Sequence, residues 1–119
     1  MFSRTFVYYH TIMNSTTAAL NGLFDRIPRR HSADNVKEIY DIMNEYEDLL
    51  ITIEAVNTFY EKKVPIFFEE LETVRATVKK SNDNKASKKN KDNFFDEASG
   101  TLKDSIQALI QMYGDGSNT

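Results

Sequence analysis

The feature that most constrains this fold is an apolar stripe in the second quarter of the chain. Its members are spaced alternately three and four residues apart, the period at which side chains share one face of an α-helix. A neighbouring column of Ile42, Leu49 and Val56 widens this face beyond the seam of a two-stranded coiled coil. The spacing predicts a long helix over residues 33–62, packed in a bundle or a globular core. The stripe consists of Val36, Ile39, Met43, Tyr46, Leu50, Ile53, Asn57 and Tyr60.

Three more stripes of the same period predict three further helices, and two prolines mark their boundaries. Pro28 ends the first helix because its ring clashes with a continuing helical turn. Pro65 fits the first turn of the third helix, where its missing N–H is not needed, and one rod kinked at Pro65 is the alternative. These helices are predicted over residues 5–27, 65–80 and 93–113. The predicted fold class is therefore an all-α, four-helix bundle-like single domain over residues 1–113.

Several positions within the stripes can be interpreted in two ways. Residues 6–12 are rich in β-branched and aromatic side chains, so a short strand or a frayed start competes with helix there. Gly100 indicates either a close helix contact or a break. Asn57 is polar within an apolar stripe, so it either fixes helix pairing or faces a turn. Ser32 or Asp34 is predicted to cap the second helix.

Composition agrees with one packed helical domain. The 119 residues suffice for a single core, and 40% hydrophobic and 28% charged residues are close to globular averages. The low numbers of glycine (4) and proline (2) argue against a turn-rich β architecture. The chain has no cysteine, so a disulfide, a thiolate nucleophile and a cysteine-based zinc site are excluded. The hydrophobic core must therefore hold the fold unaided.

Two segments are predicted to be flexible. Residues 81–93 contain no large apolar side chain until the last helix begins, so burial cannot offset the entropy of ordering them. Asp92 or Asn93 is then expected to cap the last helix. Residues 114–119 are expected to form a disordered tail because they are small or polar and follow the last stripe.

Acidic side chains are concentrated in the middle of the chain, whose net charge is −3. Residues 32–78 carry eleven acidic and four basic groups. A solvated helix face is the simpler interpretation of this block. The alternative is a negative patch that steers a basic partner, since clustered charge speeds encounter and selects partners. Glu45, Asp48 and Glu69 are the candidate steering charges.

Basic side chains are concentrated in the segment that follows. Residues 79–93 carry six lysines against two acids, and residues 1–24 contain no acid. These features support an alternative function, a lipid- or nucleic-acid-associated helical protein, because lysines can neutralise phosphates. The segment lacks arginine and interleaved aromatics, which argues against recognition of bases. The candidate anion-binding residues are Lys79, Lys80, Lys85, Lys88, Lys89 and Lys91.

No signature of catalysis or metal binding stands out from the sequence. His10 and His31 lie in neither of the spacings, Glu-x-x-His and His-x-x-x-His, that helix-borne metal sites use. Carboxylate pairs such as Glu45 with Asp48 are common on surface helices. There is no glycine-rich phosphate loop and no Gly-x-Ser-x-Gly nucleophile elbow. We therefore expect no enzymatic activity, no metal and no cofactor.

Aromatic residues outside the stripes are the main candidates for partner contacts. Tyr8, Phe59, Phe68 and Phe94 do not belong to the four apolar columns. Several exposed aromatics that converge would form the kind of apolar patch that marks a partner surface. We therefore expect a non-enzymatic protein–protein interaction module, such as an adaptor, regulatory subunit or inhibitor. It would present a helical face to another protein, as a monomer or as a homodimer.

The sequence also supports an expectation about location. No apolar run reaches the roughly 18 residues that span a bilayer, and the N-terminus lacks the layout of a secretory signal. A soluble intracellular protein, cytoplasmic or nuclear, is expected. The acid-free residues 1–24 weakly resemble a mitochondrial transit peptide, which is the alternative.

Overall fold

The computed structural model describes the backbone of residues 3–116 and the side chains of residues 15–113. Within this part of the chain the secondary structure consists of five α-helices without a strand, so the all-α prediction is confirmed. The helices are α1 (Ser3–Arg26), α2 (Ala33–Glu54), α3 (Thr58–Lys63), α4 (Pro65–Ser81) and α5 (Lys88–Gly116).

The four longer helices form a closed ring in which each packs against two neighbours. α1 packs against α2 and α5, and α4 packs against the same two helices. The short α3 joins α2 to α4 and contacts both. This arrangement lets each long helix bury one apolar stripe against the others, as in a four-helix bundle.

The α1–α2 connection and the α4–α5 connection meet at one end of the ring. His31 Nε2 in the first connection lies 3.4 Å from Asn82 Oδ1 in the second. The buried Ser99 hydroxyl on α5 donates a hydrogen bond of 2.7 Å to the carbonyl oxygen of Pro28. Neighbouring long helices therefore run antiparallel. We call this region, residues 28–32 and 79–93, the loop end of the bundle.

The core is built from the predicted stripes. Its largest fully buried side chains include Tyr46 and Tyr60, and the rings of Tyr60 and Tyr113 stack with centroids 5.2 Å apart. Each fully buried leucine or isoleucine contributes roughly 1.5–3 kcal/mol relative to an exposed one. The buried residues of α2 and α5 are Ile39, Ile42, Met43, Tyr46, Leu50 and Ile53, then Phe95, Ala98, Ser99, Leu102, Ser105, Ile106, Leu109 and Tyr113.

The predicted helix over 33–62 is interrupted. α2 ends at Glu54, and Asn57 has an extended backbone (φ −166°) whose side-chain Oδ1 accepts a hydrogen bond of 3.0 Å from Tyr60 N–H. Asn57 is therefore the N-cap of α3 and faces a turn instead of fixing helix pairing. The boundary at Pro65 is as predicted, with Pro65 in the first turn of α4 and only Val64 separating α3 from α4.

The predicted boundaries of the loop 81–93 are wrong. Ser81 is buried at the end of α4, and α5 begins at Lys88, because lysine is a strong helix former. The Ser87 Oγ accepts a hydrogen bond of 3.1 Å from Asn90 N–H, so Ser87 caps α5 in place of the predicted Asp92 or Asn93. The non-helical connection is residues 82–87 alone.

The first and last helices extend further than the sequence predicts. α1 is helical from Ser3, so the alternative of a short strand at residues 6–12 is wrong. α5 continues through Gly100 to Gly116, beyond the predicted end at 113, and residues 117–119 lie outside the described part. Ser32 caps α2 by accepting a hydrogen bond of 3.1 Å from Asn35 N–H, as predicted. None of the described helices combines the length and the hydropathy that a bilayer-crossing segment needs.

Candidate functional site

A shallow groove of about 370 Å³ runs between α1 and α2 on the surface of the bundle. Its floor is apolar, formed by the buried Leu23 and the half-buried Leu49. Its two walls span residues 19–26 and 45–52, which is roughly 11 Å, or two helical turns, along each axis. We call this feature the α1–α2 groove; it is lined by Ala19, Gly22, Leu23, Arg26, Glu45, Asp48, Leu49 and Thr52.

Small residues on α1 keep this groove open. Gly22 and Ala19 lie on the α1 wall, and a Cβ atom built on Gly22 would meet nothing within 4 Å. A glycine inside a helix costs about 1 kcal/mol relative to alanine. The space above Gly22 is therefore not filled by any described residue of the chain, although an alanine there would favour the helix.

One end of the groove is closed by Arg26. Its guanidinium makes two parallel contacts with Glu45, Nη1 to Oε1 at 3.0 Å and Nη2 to Oε2 at 2.9 Å. Its Nε and Nη2 also donate to Glu38 Oε1, at 3.1 and 2.7 Å. The hydrogen bonds to Glu45 and then to Glu38 raise the pKa of Arg26 above its ordinary value. Arg26 and Glu45 thus link α1 to α2 through a planar, bidentate ion pair.

The acidic rim of the groove contains two of the three predicted steering charges. Glu45 is engaged by Arg26, whereas the exposed Asp48 forms no ion pair with any residue whose side chain the structure describes. Asp48 therefore presents a free carboxylate beside an apolar floor. Glu69 is exposed on α4 and is not among the residues that line the groove.

The predicted aromatic contacts are not brought together. Phe59 on α3 is 45% exposed and lies edge-on to Tyr60, while Phe68 is half-buried against the core. Phe94 is half-buried at the loop end, where Lys80 Nζ lies 5.9 Å from its ring centroid. The Tyr8 side chain lies outside the described residues. Of the three described aromatics, Phe59 and Phe68 lie at the α3 end of the bundle and Phe94 at the loop end.

Two exposed apolar residues lie next to the predicted columns and are not among the predicted partner contacts. Ile51 on α2 is 54% exposed and Ile66 on α4 is 57% exposed. Ile66 follows Phe59 by seven residues on the nearly continuous α3–α4 segment, so the two share one side of that segment. Periodicity alone could have identified this pair, since neither residue falls on the buried stripe.

A second candidate surface lies at the loop end. A polar cleft of about 480 Å³ is lined there mainly by charged and polar side chains, and Arg29 Nη2 lies 3.1 Å from Asp96 Oδ1 at its edge. The His31 ring packs edge-on against Phe95 with centroids 5.7 Å apart. The lining residues are Arg29, Arg30, His31, Lys88, Asp92, Asn93 and Asp96.

The six candidate anion-binding lysines all lie at this loop end, and all but the half-buried Lys91 are exposed. The structure thereby joins them to Arg29 and Arg30. The acid-free N-terminal stretch is placed differently, since α1 extends from Arg26 away from the loop end over roughly 36 Å. The lysines and the start of α1 therefore do not form one surface.

No family model, curated protein or solved structure matches this chain. Among the described side chains, no group of three or more histidine, aspartate or glutamate residues is arranged to hold a metal ion. The geometry of the α1–α2 groove and of the loop end is thus the basis on which a function can be argued.

Proposed function

We propose that this protein is a non-enzymatic interaction module that binds a basic, amphipathic helix of a partner protein in the α1–α2 groove. The observation that supports this proposal most directly is the open apolar floor beside Gly22, bordered by the free carboxylate of Asp48. Laying the apolar face of one helix into a groove between two others is a recurring mode of peptide recognition.

The dimensions of the groove define the segment that would fit. Two helical turns of the partner would cover the floor formed by Leu23 and Leu49, with apolar side chains at positions i and i+4 facing Gly22. A lysine or arginine on the flank of that helix would lie beside Asp48. Arg26 is already engaged by Glu38 and Glu45, so it limits the groove without repelling a basic partner strongly.

The proposal is tested with a designed helical peptide that has leucines along one face and lysines on both flanks. Its affinity is measured by fluorescence anisotropy for the wild type, Gly22→Leu and Gly100→Leu. Both glycines lie inside helices, and an added Cβ meets nothing within 4 Å at either position, so the two variants are matched. We expect Gly22→Leu to weaken binding at least tenfold and Gly100→Leu to leave it unchanged. Equal binding by all three proteins would refute the groove as the site.

The acidic rim is tested by a second matched pair. Asp48→Lys places a positive charge at the groove, whereas Glu69→Lys makes the same change on the exposed face of α4. Asp48→Lys is expected to slow association of the lysine-flanked peptide, an effect that fades with added salt, and Glu69→Lys is expected to have a smaller effect. If a peptide with glutamate flanks binds as well as the lysine version, the partner chemistry is wrong.

The native occupant is sought by affinity capture with the wild type and both leucine variants in parallel. A partner retained by Gly100→Leu and lost by Gly22→Leu is expected to carry a basic amphipathic helix. The predicted homodimer is the competing occupant, and sedimentation velocity distinguishes the two. A wild-type dimer that Gly22→Leu converts to a monomer would show that a second copy fills the groove, contrary to the proposal.

A further inference from the structure

The two connections at the loop end gather basic side chains that are far apart in the sequence. Residues 28–32 and 79–93 together carry eight basic and two acidic side chains, a net charge of +6. The whole chain has a net charge of −3, so the remaining residues carry −9. The contact between His31 and Asn82 joins the two connections, and Arg29 pairs with Asp96 on the adjoining turn of α5. Positive charge is therefore concentrated at the loop end, while the rest of the chain carries a net negative charge.

Most of the positive charge at the loop end is available to a partner. Arg29 is paired with Asp96, whereas Arg30 and the six lysines form no ion pair with any described side chain. The ammonium group of Lys80 lies over the ring of Phe94. This contact leaves the positive charge of Lys80 in place. Seven unpaired cations on one end of a bundle about 20 Å across create a concentrated positive potential.

We propose that the loop end binds an anionic membrane surface, with the bundle standing on this end. The positive charges lie on two connections and the adjoining helix ends, so they form a cap that a plane can contact. The acidic side chains of α2 from Glu38 to Glu54 lie along the side of the bundle, where a membrane contacted by the cap does not reach them, whereas Asp34 lies in the first turn of α2, next to the cap. Lysines near an anionic membrane each strengthen attachment severalfold through charge alone.

A nucleic acid fits this surface less well. Six of the eight cations are lysines, which bind phosphate as point charges without the planar geometry of arginine. The aromatic rings at the loop end, Phe94 and Phe95, are half-buried and buried, so they offer no platform on which bases stack.

The membrane proposal is tested by vesicle flotation. The full chain is mixed with phosphatidylcholine vesicles that contain about 30% phosphatidylserine, or none, at about 50 mM salt. Binding is expected only with the anionic vesicles and is expected to fall steeply by about 300 mM salt. Phosphatidylglycerol at the same fraction is expected to support equal binding, because the attraction depends on charge. Binding that requires one particular headgroup would overturn the charge-based proposal.

A matched pair of variants locates the surface. Lys88→Gln/Lys89→Gln removes two exposed neighbouring lysines from the loop end, and Lys62→Gln/Lys63→Gln removes two from α3 at the opposite end. At about fivefold per lysine, the first variant is expected to bind anionic vesicles at least tenfold more weakly, and the second to bind nearly as the wild type does. Equal losses in both variants would show that the loop end is not the contact surface.

A further measurement with DNA distinguishes a membrane from a nucleic acid as the bound polyanion. A DNA duplex of about 20 base pairs is added at the same salt concentration as the vesicles. Weak, non-specific duplex binding is compatible with the proposal if the vesicles bind more tightly. Tight duplex binding without vesicle flotation would overturn the membrane proposal in favour of a nucleic acid, and binding to neither at low salt would overturn it outright. Far-UV circular dichroism confirms that the variants remain folded.

Discussion

The hydroxyl groups of Tyr46 and Ser105 lie 2.9 Å apart in the core, where they join α2 to α5. Ser105 Oγ also donates a hydrogen bond of 2.7 Å to Glu70 Oε1 on α4. A carboxylate only accepts, so the single hydroxyl hydrogen of Ser105 is used there and Tyr46 must donate to Ser105. The chain of two hydrogen bonds therefore links three helices in one direction, with each buried group satisfied.

The first prediction concerns the direction of the two hydrogen bonds from Tyr46 to Ser105 and from Ser105 to Glu70. Ser105→Ala is expected to lower the free energy of unfolding by about 1–3 kcal/mol, because the buried Tyr46 hydroxyl loses its acceptor. Tyr46→Phe removes a hydroxyl but leaves the contact between Ser105 and Glu70, so a smaller loss of about 1 kcal/mol is expected. Urea denaturation of both variants and of the double variant measures the coupling. A double-variant loss equal to the sum of the single losses would contradict this account.

The second prediction concerns alkaline pH. Burial raises the pKa of Tyr46 above its ordinary value of 10.0, and the negative charge of Glu70 acts in the same direction. Above about pH 10 the unfolded chain loses this proton while the folded chain keeps it, so the folded state binds more protons and stability falls as pH rises. The stability difference between wild type and Tyr46→Phe is expected to shrink by up to about 1.4 kcal/mol per pH unit. A difference that stays constant from about pH 8 to about pH 11 would show that Tyr46 does not titrate this way.

The third prediction concerns Asn57, which begins α3. Asn57→Ala removes the side-chain acceptor for Tyr60 N–H and is expected to destabilise the fold by about 1 kcal/mol. Asn57→Ser keeps a capping oxygen and serves as the control, with a loss of at most a few tenths of a kcal/mol expected. Thermal and urea unfolding compare the two. If Asn57→Ala is as stable as Asn57→Ser, the cap contributes nothing.

The fourth prediction concerns the two helical glycines. Gly22→Ala and Gly100→Ala are each expected to raise the free energy of unfolding by about 1 kcal/mol, since both added methyl groups meet open space and alanine favours the helix. Only Gly22→Ala is expected to reduce peptide binding in the α1–α2 groove. A loss of stability in either variant, measured by urea denaturation, would mean that the backbone or its neighbours do not tolerate a side chain there.

Much of the fold could be predicted because burial imposes a period on each helix. The columns through Leu50 and Leu102 identify the buried faces of α2 and α5 from spacing alone. The break after Glu54 could not be read in this way, since Asn57 stands at the position where the stripe would continue. The start of α5 at Lys88 was missed because lysine favours a helix even without an apolar neighbour to signal it.

The candidate surfaces depend on residues that only the folded chain brings together. Gly22 and Asp48 are 26 positions apart in the sequence and share the groove because α1 and α2 pack as antiparallel neighbours. Arg30 and Lys88 line one cleft because the two connections meet at the same end. Small residues on α1 and the lysine segment were the available signals, but their partners were not visible in the local pattern.

The hydrogen bond from Ser99 to Pro28 spans 71 positions in the sequence and therefore also bears on the order of folding events. α1 with α2, and α4 with α5, join segments that are adjacent in the chain, whereas closing α5 onto α1 requires a much longer loop with a larger entropic cost. We expect the seam between α1 and α5 to form after the folding transition state. Ser99→Ala should then accelerate unfolding while leaving the folding rate nearly unchanged, a φ-value near zero that stopped-flow kinetics can measure.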